Sequence, residues 1–424
     1  MRIAVFVMMM FFVLTGQMGV VYGAENPPDI YSGTGVVIDS STGEVLYQKN
    51  KDEQAFPASL TKLMTAILLE DHMNDGEWMT ASKKATQQEV SNFVFNLKIG
   101  ERMQKEEALK ALLVISANDV AMMIAEHIGG DEASFAGMMN AKAASLGMIH
   151  THFVTPNGLH DPQHYTTASD LALLAKEAMK YPAIMEAMGT EKTDVRTDQR
   201  QVSIRDRSLI FKNPLALGGK TGFTNEAHNT LIEYMKKDNK TVIAVVMKSS
   251  RSNEYQDVET IGNYGLDHME ILRTFQKGEI VGDTTFYGES VEGALGNSCL
   301  LTKRKGDEAD YTYTPVFKAW QSGQNRVEAG EVIGTYQIKK NGETQMEIPI
   351  VSVNAVTHND PEPLSVMSQK VGRTTSTSTS TSTSSWRYGV AVGLLVLAYG
   401  LLKWKQKRKQ RKQITIFAED KYGA

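Results

Sequence analysis

Three short groups of residues in this chain have the types and the spacing needed for acyl transfer to a serine. In chain order they are Ser59 with Lys62, Ser116 with Asn118, and Lys220 with Thr221 and Gly222. Any one of these groups is weak evidence, because an S-x-x-K arises by chance about once or twice in a chain of this length. Their settings are more informative: the first opens a predicted helix, the second lies between two helices, and the third lies on a strand.

The first group predicts a serine nucleophile with a lysine base. A serine hydroxyl is a poor nucleophile until a neighbouring base takes its proton. Pro57 to Leu69 is predicted to be one helix, so Ser59 and Lys62 share a face of it. Lysine acts as a base only when neutral, so its pKa must fall from ~10.4 to ~7–8. Burial and a second cation, Lys220, would lower that pKa.

The other two groups predict the parts that support this chemistry. The Ser59 backbone N–H, at the start of a helix, can face a developing oxyanion, and Phe223 on the strand is a plausible second donor. Ser116 would relay a proton to the leaving amine, and the Asn118 amide would hold the substrate backbone. A strand at a sheet edge can also pair with an extended peptide.

Longer stretches around these groups resemble the low-molecular-mass penicillin-binding proteins that are serine-type D-alanyl-D-alanine carboxypeptidases. The similar segments are Pro57 to Ala66, Phe153 to Asp170, and Lys220 to Thr224. The resemblance is strong over roughly residues 30–275, and looser over the β region that follows, including Val327 to Gly334. It implies an enzyme of peptidoglycan biosynthesis that trims the terminal D-alanine of stem peptides. It also implies acylation by β-lactam antibiotics and no cofactor.

The resemblance also assigns roles to individual residues. Ser59 is the expected nucleophile, Lys62 the base, and Ser116 and Lys220 further catalytic residues. The expected substrate-binding residues are Asn118, Thr221, Gly222, Phe223, Thr224 and Arg251. Of these, Thr221 and Thr224 would contact the substrate carboxylate, and Arg251 is the weakest assignment. The chain departs from the family at two positions that usually carry glycine, Ala117 and His228.

The periodicity predicts an α/β (α+β) fold. A hairpin, Val36 to Tyr47, is followed by helices up to about Lys180, among them Lys105 to Ile115 and Val120 to Ile128, and by strands from about Val202 to Met247. A helix is predicted near Tyr255 to Thr274, and short strands with Gly/Asn turns, such as Gly293 to Leu301, follow it. We therefore expect a penicilloyl-serine transferase (β-lactamase-like) domain of a sheet plus a helical block, then a small all-β domain.

The two ends of the sequence predict an exported protein with one membrane span. A charged start, an apolar run and small residues before residue 24 are typical of a secretory signal peptide. Residues 386–404 would form a helix of ~28 Å, enough to cross a bilayer core, with basic residues on the cytoplasmic side. The predicted domains are a signal peptide 1–24, a catalytic domain 25–275, a β domain 276–368, a Ser/Thr-rich linker 369–385, a transmembrane helix 386–404 and a tail 405–424.

These predictions place the catalytic domain at the outer face of the cytoplasmic membrane. The formal net charge of −4, with basic residues concentrated in the tail, argues against a nucleic-acid partner. The single cysteine, Cys299, permits no internal disulfide. Gly389 and Gly393 form a G-x-x-x-G pair that could support a weak homodimer. The histidines lack ligand partners at metal-site spacing, so no metal is expected.

Two other functions remain open at the level of sequence. A β-lactamase on the same fold would need a general-base glutamate between the second and third groups. Glu186 and Glu191 lie in that interval, but neither stands in an E-x-x-x-N setting. A wall-binding surface protein without turnover is the other alternative, although the intact Ser59, Lys62 and Lys220 argue against it.

Overall fold

The computed structural model describes residues 26–88 and 95–358. Its α-helices are α1 (Lys62–His72), α2 (Lys83–Thr86), α3 (Lys105–Val114), α4 (Asn118–Gly129), α5 (Glu132–Ser145), α6 (Ala168–Ala178), α7 (Pro182–Met188) and α8 (Glu254–Asp267). Its strands up to residue 249 are β1 (Thr34–Asp39), β2 (Val45–Lys49), β3 (Trp78–Thr80), β4 (Arg102–Gln104), β5 (Lys192–Arg196), β6 (Gln201–Arg205), β7 (Ala216–Thr224), β8 (His228–Lys237) and β9 (Lys240–Ser249). Two 3₁₀ turns, Ala58–Thr61 and Ile210–Lys212, complete this part.

A five-stranded antiparallel sheet organises the first part of the chain. Its strand order is β2-β1-β9-β8-β7, so β1, the first of these strands in the chain, pairs with β9, the last. In that pairing Thr34 faces Met247 and Asp39 faces Val242. Within residues 26–88 and 95–358, strand β7 pairs on one side only, with β8, and it is therefore an edge strand of this sheet.

Both faces of this sheet are buried, which explains why its central strands carry apolar side chains on both sides. On β8, Ile232 and Tyr234 pack into the core formed with the helical block α1–α7. Leu231 and Met235, which point the other way, pack into the core beneath α8. A period of two residues sends successive side chains to opposite faces of a strand. The helical block covers one face, and α8 covers the other.

A second group of strands follows α8. These are β10 (Met269–Phe275), β11 (Ile280–Phe286), β12 (Glu289–Leu295), β13 (Cys299–Arg304), β14 (Tyr311–Phe317), β15 (Arg326–Val327), β16 (Val332–Lys340), β17 (Glu343–Ser352) and β18 (Val356–Thr357). A sheet of order β11-β12-β17-β16-β14 and two smaller pairings, β10 with β13 and β15 with β18, surround a core of their own. The turn of the β1–β2 hairpin contacts this region, because Lys340 Nζ donates to Glu44 Oε1 at 2.9 Å.

The predicted sheet with a helical block is confirmed, whereas several predicted element boundaries are wrong. The predicted helix near Tyr255 to Thr274 ends at Asp267, because the next residues alternate and pair with β13 as strand β10. The predicted strand Gly293 to Leu301 is two strands, since the chain turns between Leu295 and Cys299. The nucleophile segment begins as a 3₁₀ turn before α1.

The predicted membrane span and its neighbours lie outside the described residues. These are the signal peptide 1–24, residues 359–368 of the predicted β domain, the linker 369–385, the helix 386–404 and the tail 405–424. Among the helices of residues 26–88 and 95–358, none is long and apolar enough to span a bilayer.

Candidate active site

Ser59 lies on a tight turn that the surrounding backbone holds in an unusual conformation. Ala58, directly before it, has a φ of 49°, a left-handed value that is uncommon for a residue with a Cβ. The Leu60 N–H closes the turn by donating to the Pro57 carbonyl at 3.2 Å. Gly158 supports the turn from the side, where a Cβ would lie 1.8 Å from the Ala58 carbonyl oxygen. Only glycine fits there, and Ser59 is left half-buried.

Lys62 is fully buried and touches Ser59 from the first turn of α1. Its Nζ lies 3.0 Å from Ser59 Oγ, 2.7 Å from Asn118 Oδ1 and 2.7 Å from the Asn157 carbonyl oxygen. The last two atoms can only accept hydrogen bonds. A neutral lysine amine has two N–H bonds and one lone pair. When both N–H bonds are given to these acceptors, the lone pair faces the Ser59 hydroxyl, which is the geometry of a general base.

The environment of Lys62 favours this neutral form. Burial lowers the pKa of Lys62 well below its usual value, and the positive charge of Lys220 lowers it further. Asp119 opposes the shift. Its carboxylate already accepts the Phe95 and Leu97 backbone N–H groups at 2.9 and 3.0 Å. The combination of a buried amine and a second buried cation is what an activated lysine requires.

Ser116 and Asn118 reach the same place from the junction of α3 and α4. Asn118 is the first residue of α4 and is buried, and its amide oxygen meets Lys62 as described. Ser116 has a φ of 61° and is 6% exposed. Within the described residues its buried Oγ has no hydrogen-bond partner. This buried hydroxyl lies two residues before Asn118, which contacts the lysine, and being unpaired among the described residues it is available to a substrate proton.

The third predicted group runs along edge strand β7, immediately beside Ser59. A Cβ on Gly222 would lie 3.0 Å from the Ser59 backbone nitrogen and 3.1 Å from the Pro57 carbonyl oxygen. Lys220 is buried, and burial lowers its pKa to about 8 against the opposing attraction of Asp206. Its Nζ donates to the Thr221 carbonyl at 2.9 Å. Phe223 is the next residue along the strand after Gly222, with 57% of its surface exposed.

Of the remaining predicted substrate contacts, Thr221 lies between Lys220 and Gly222 on β7, Thr224 ends that strand, and Arg251 follows β9. Thr221 and Thr224 are partly exposed, and Thr224 Oγ1 accepts the Ala227 N–H at 3.0 Å within the β7–β8 turn. Arg251 is exposed after β9. None of the hydrogen bonds or ion pairs of the described residues joins Arg251 to the Ser59 turn. Among the described residues, hydrogen bonds and close backbone approach therefore join Ser59, Lys62, Asn118 and Gly222, and no such contact joins Arg251 to them.

Two residues of the site carry functions that the sequence pattern did not predict. Asn157 contributes its backbone carbonyl to Lys62, and His164 is bonded to Thr61 in the nucleophile turn with Nε2 2.9 Å from Oγ1. Thr65 Oγ1 also donates to the Pro156 carbonyl at 2.6 Å. These residues lie within the similar segment Phe153 to Asp170. In the sequence, the available signal for these contacts was the turn Pro156-Asn157-Gly158 with His164 a few residues further on.

The two departures from the family pattern have different structural meanings. His228 has a φ of 57°, a conformation in which glycine carries no steric penalty, so the usual glycine fits this backbone better. Ala117 has a φ of −62° and needs no glycine. Both positions leave the contacts of Ser59 and Lys62 intact.

The two glutamates weighed for a β-lactamase are not at the site. Glu191 is exposed and pairs with Arg205 at 2.5 Å, and Glu186 is exposed on α7. In the described part of the chain, the hydrogen-bond partners of Ser59 and Lys62 include no carboxylate. Over the same residues no cluster of histidine, cysteine, aspartate and glutamate has the arrangement of a metal site.

This geometry is that of a serine acyl-transferase with a lysine base, and comparison with known proteins agrees with it. The sequence model described as D-alanyl-D-alanine carboxypeptidase matches residues 22–251. D-alanyl-D-alanine carboxypeptidase DacF of Bacillus subtilis is 31% identical over 327 residues, which cover 75% of this chain and 84% of that protein. The chain therefore belongs to the D-alanyl-D-alanine carboxypeptidase family and is a serine-type peptidase of the penicillin-binding class.

Solved structures show the same fold. The D-alanyl-D-alanine carboxypeptidase of Mycobacterium tuberculosis matches with a TM-score of 0.55 and 28% identity, over 58% of this chain and 95% of that one. Penicillin binding protein 5 of Haemophilus influenzae matches with a TM-score of 0.59 and 23% identity, over 78% of this chain and 98% of that one. The second match extends beyond the length of the first, into the β region.

Proposed function

We propose that this chain removes the terminal D-alanine from peptidoglycan stem peptides through an acyl-enzyme on Ser59. The observation that carries the proposal is the position of Lys62, whose Nζ lies 3.0 Å from Ser59 Oγ while two pure acceptors occupy its other contacts. Family membership supports the substrate class, and the same site would accept β-lactam antibiotics as acylating inhibitors.

In acylation, Ser59 Oγ attacks the carbonyl carbon of the penultimate D-alanine while neutral Lys62 takes the hydroxyl proton. The carbonyl oxygen becomes an oxyanion, with the backbone N–H groups of Ser59 and Phe223 as its donors. Gly222 allows strand β7 to approach the nucleophile turn closely enough for both donors to serve one oxygen. A preorganised donor of this kind changes the rate by about 10²–10³.

When the oxyanion collapses, the C–N bond breaks and the leaving amine needs a proton. Lys62 holds the proton taken from Ser59, and in this proposal the Ser116 hydroxyl, buried and unpaired among the described residues, passes it on. Free D-alanine leaves. A water molecule then attacks the ester carbonyl and gives its proton to Lys62, after which the Ser59 oxygen is reprotonated.

Binding of the peptide uses the exposed edge of β7. An extended peptide adds to such an edge through backbone hydrogen bonds, and the Asn118 amide holds it from the opposite side. The positive charge of Lys220, together with Thr221 and Thr224, provides a counterpart for the C-terminal carboxylate of the substrate. Arg251 is a further candidate for that carboxylate.

The test uses the purified full-length chain and its Ser59→Ala variant. Intact mass is measured after minutes and after hours with benzylpenicillin, and D-alanine release is measured from a stem pentapeptide. We expect a long-lived adduct and D-alanine release from the wild type, with neither from the variant. Drug destruction without an adduct would indicate a β-lactamase, and an untouched drug would indicate a protein that only binds.

We also propose that the enzyme is exported and held at the outer face of the cytoplasmic membrane. The proposal rests on the sequence of residues 1–24 and of the apolar run 386–404 with its basic flank. The Ser/Thr-rich linker would give the catalytic domain reach from that span. A weak dimer through Gly389 and Gly393 is part of the same proposal.

Fractionation tests the location separately from the chemistry. The full-length chain should sediment with membranes and be digested by protease added outside intact cells. A chain ended after residue 370 should be released to the medium. Recovery of the full-length chain in the cytosol would refute the proposed location without affecting the proposed reaction.

A further inference from the structure

His164 lies behind the nucleophile turn and is only 2% exposed. Its Nδ1 lies 3.1 Å from the Val154 backbone nitrogen and 3.2 Å from the Thr155 backbone nitrogen. Both of those groups donate, so Nδ1 must be the unprotonated, accepting nitrogen. The neutral ring therefore carries its hydrogen on Nε2, which donates to Thr61 Oγ1 at 2.9 Å.

The two ends of this imidazole reach the two structures that hold the lysine base. Thr61 is the last residue of the 3₁₀ turn that carries Ser59, and it directly precedes Lys62. Thr155 begins the turn that presents Asn157: its Oγ1 accepts the Gly158 N–H at 3.2 Å and lies 3.3 Å from the Leu159 carbonyl. The Asn157 carbonyl in turn accepts a hydrogen bond from Lys62 Nζ at 2.7 Å.

We propose that His164 is a positioning residue that sets the distance between the nucleophile turn and the Asn157 carbonyl and thereby aims the lone pair of Lys62 at Ser59. The proposal rests on the proposed function, because it assigns no role to His164 unless Lys62 is the base. Loss of the hydrogen bonds that His164 makes to both segments lets the Asn157 turn move, and the Lys62 amine can then rotate away from the Ser59 hydroxyl.

If the role of His164 were purely structural, only its contacts that help to fold residues 153–159 would be needed. Those contacts are the two backbone N–H groups accepted by Nδ1 and the edge-on packing of Phe153 against the ring, with centroids 5.5 Å apart. The bond to Thr61 adds nothing to the folding of that segment. The bond to Thr61 joins His164 to the nucleophile turn. Its removal therefore distinguishes a positioning role from a purely structural one.

The experiment uses two variants of the full-length chain that remove the hydrogen bond between His164 and Thr61. One changes the donor and the other changes the acceptor. His164→Asn keeps an acceptor near the Nδ1 position but is too short to reach Thr61. Thr61→Val keeps His164 and removes its acceptor. The double variant completes the cycle, and His152→Asn, in a neighbouring histidine whose ring contacts the Gln163 carbonyl and Tyr165, is the control. Acylation by a fluorescent penicillin is followed at saturating and limiting drug, below the melting temperature of each variant.

We expect both single variants to acylate about tenfold more slowly at saturating drug, because a displacement of about 1 Å in the catalytic groups costs this much or more. Noncovalent affinity for the drug should change by less than about twofold. The double variant should be no slower than either single one, since the bond is already lost. His152→Asn should match the wild type.

Two results would overturn the proposal. One is a wild-type acylation rate in folded Thr61→Val, which stands even when His164→Asn fails to fold. The other is a double variant whose loss is the product of the two single losses, which would mean that the residues act independently. A wild-type chain that is not acylated at all would instead refute the proposed function.

Discussion

Replacing Gly222 by alanine would introduce one methyl group at the closest approach between strand β7 and the nucleophile turn. That methyl carbon would lie 2.5 Å from Thr230 Oγ1, 3.0 Å from the Ser59 nitrogen and 3.1 Å from the Pro57 carbonyl oxygen. The Thr230 hydroxyl can rotate, at the loss of its 3.2 Å hydrogen bond to Pro57. The two backbone atoms cannot yield in this way, so the strand must move away from the turn.

The size of the effect follows from what this movement separates. The Ser59 and Phe223 N–H groups are the proposed oxyanion donors, and their spacing is set where Gly222 meets the turn. Loss of one donor costs about 10²–10³ in rate, or about 2.7–4 kcal/mol of transition-state stabilisation. A displaced donor loses less than a removed one. We expect Gly222→Ala to lower the acylation rate about 10²-fold, and to reduce the free energy of unfolding by about 1–3 kcal/mol through overpacking.

The assay is the time course of the penicillin adduct by intact mass, run beside a thermal melt of each protein. Gly137→Ala is the matched control: the same methyl is added at an exposed position of α5, where no atom lies within 4 Å. Alanine favours a helix over glycine, so this variant should be stabilised by about 0.5–1 kcal/mol and keep the wild-type rate. Acylation of folded Gly222→Ala within about threefold of the wild type would refute the oxyanion geometry.

Three further predictions concern the charged and strained groups around the site. Lys220→Gln removes a cation that lowers the pKa of Lys62, so the acidic limb of the acylation–pH profile should move to higher pH. Burial lowers the pKa of His164 to about 4, against the attraction of Asp161 and with His152 and His160 nearby. The free energy of unfolding should therefore fall by up to about 3 kcal/mol between pH ~6.5 and ~4, where the unfolded chain alone binds the proton. His228→Gly should stabilise the protein by up to about 1 kcal/mol, because it relieves a φ of 57°.

Each of these three has a direct check. Stopped-flow acylation between pH 5 and 10 would contradict the first if Lys220→Gln left the acidic limb in place. Denaturant titrations of the wild type and His164→Asn check the second: the difference between their free energies of unfolding must change with pH below ~6.5 and become constant above pH ~7. Thermal melts decide the third: a lower melting temperature for His228→Gly would show that the side chain compensates for its backbone.

The contact between Ser59 and Lys62 could be predicted from the sequence because both residues lie on one short stretch of helix. Ser59 and Lys62 are three residues apart on one turn, and Lys220, Gly222 and Phe223 follow one another along a strand. The contact from the Asn157 carbonyl was not predictable in the same way, because any residue has a carbonyl and only the fold decides where it points. His164 was missed for a related reason: its neighbours in the chain give no indication that Thr61 lies against it.

The elements that were misjudged are those decided by distant partners. Residues 269–275 have enough apolar residues for either a helix or a strand, and pairing with β13 decides for the strand. The interruption between β12 and β13 falls at Gly296-Asn297-Ser298, residue types that favour turns, so this boundary could have been predicted from the sequence. The boundaries of α3 and α4, which local periodicity determines, were predicted within a few residues.

The pairing of β1 with β9 fixes the order in which the catalytic machinery can be assembled. Thr34 and Met247 are neighbours in the sheet but are separated by nearly the whole catalytic domain in the chain. Contacts of such high sequence separation form slowly, because the entropy of closing the intervening loop is lost before the contacts stabilise anything. The helices can collapse around the Ser59 turn first. Lys220 arrives only with the last strands of the sheet, so a chain in which β7–β9 have not yet paired carries its nucleophile but not yet the charge that activates it.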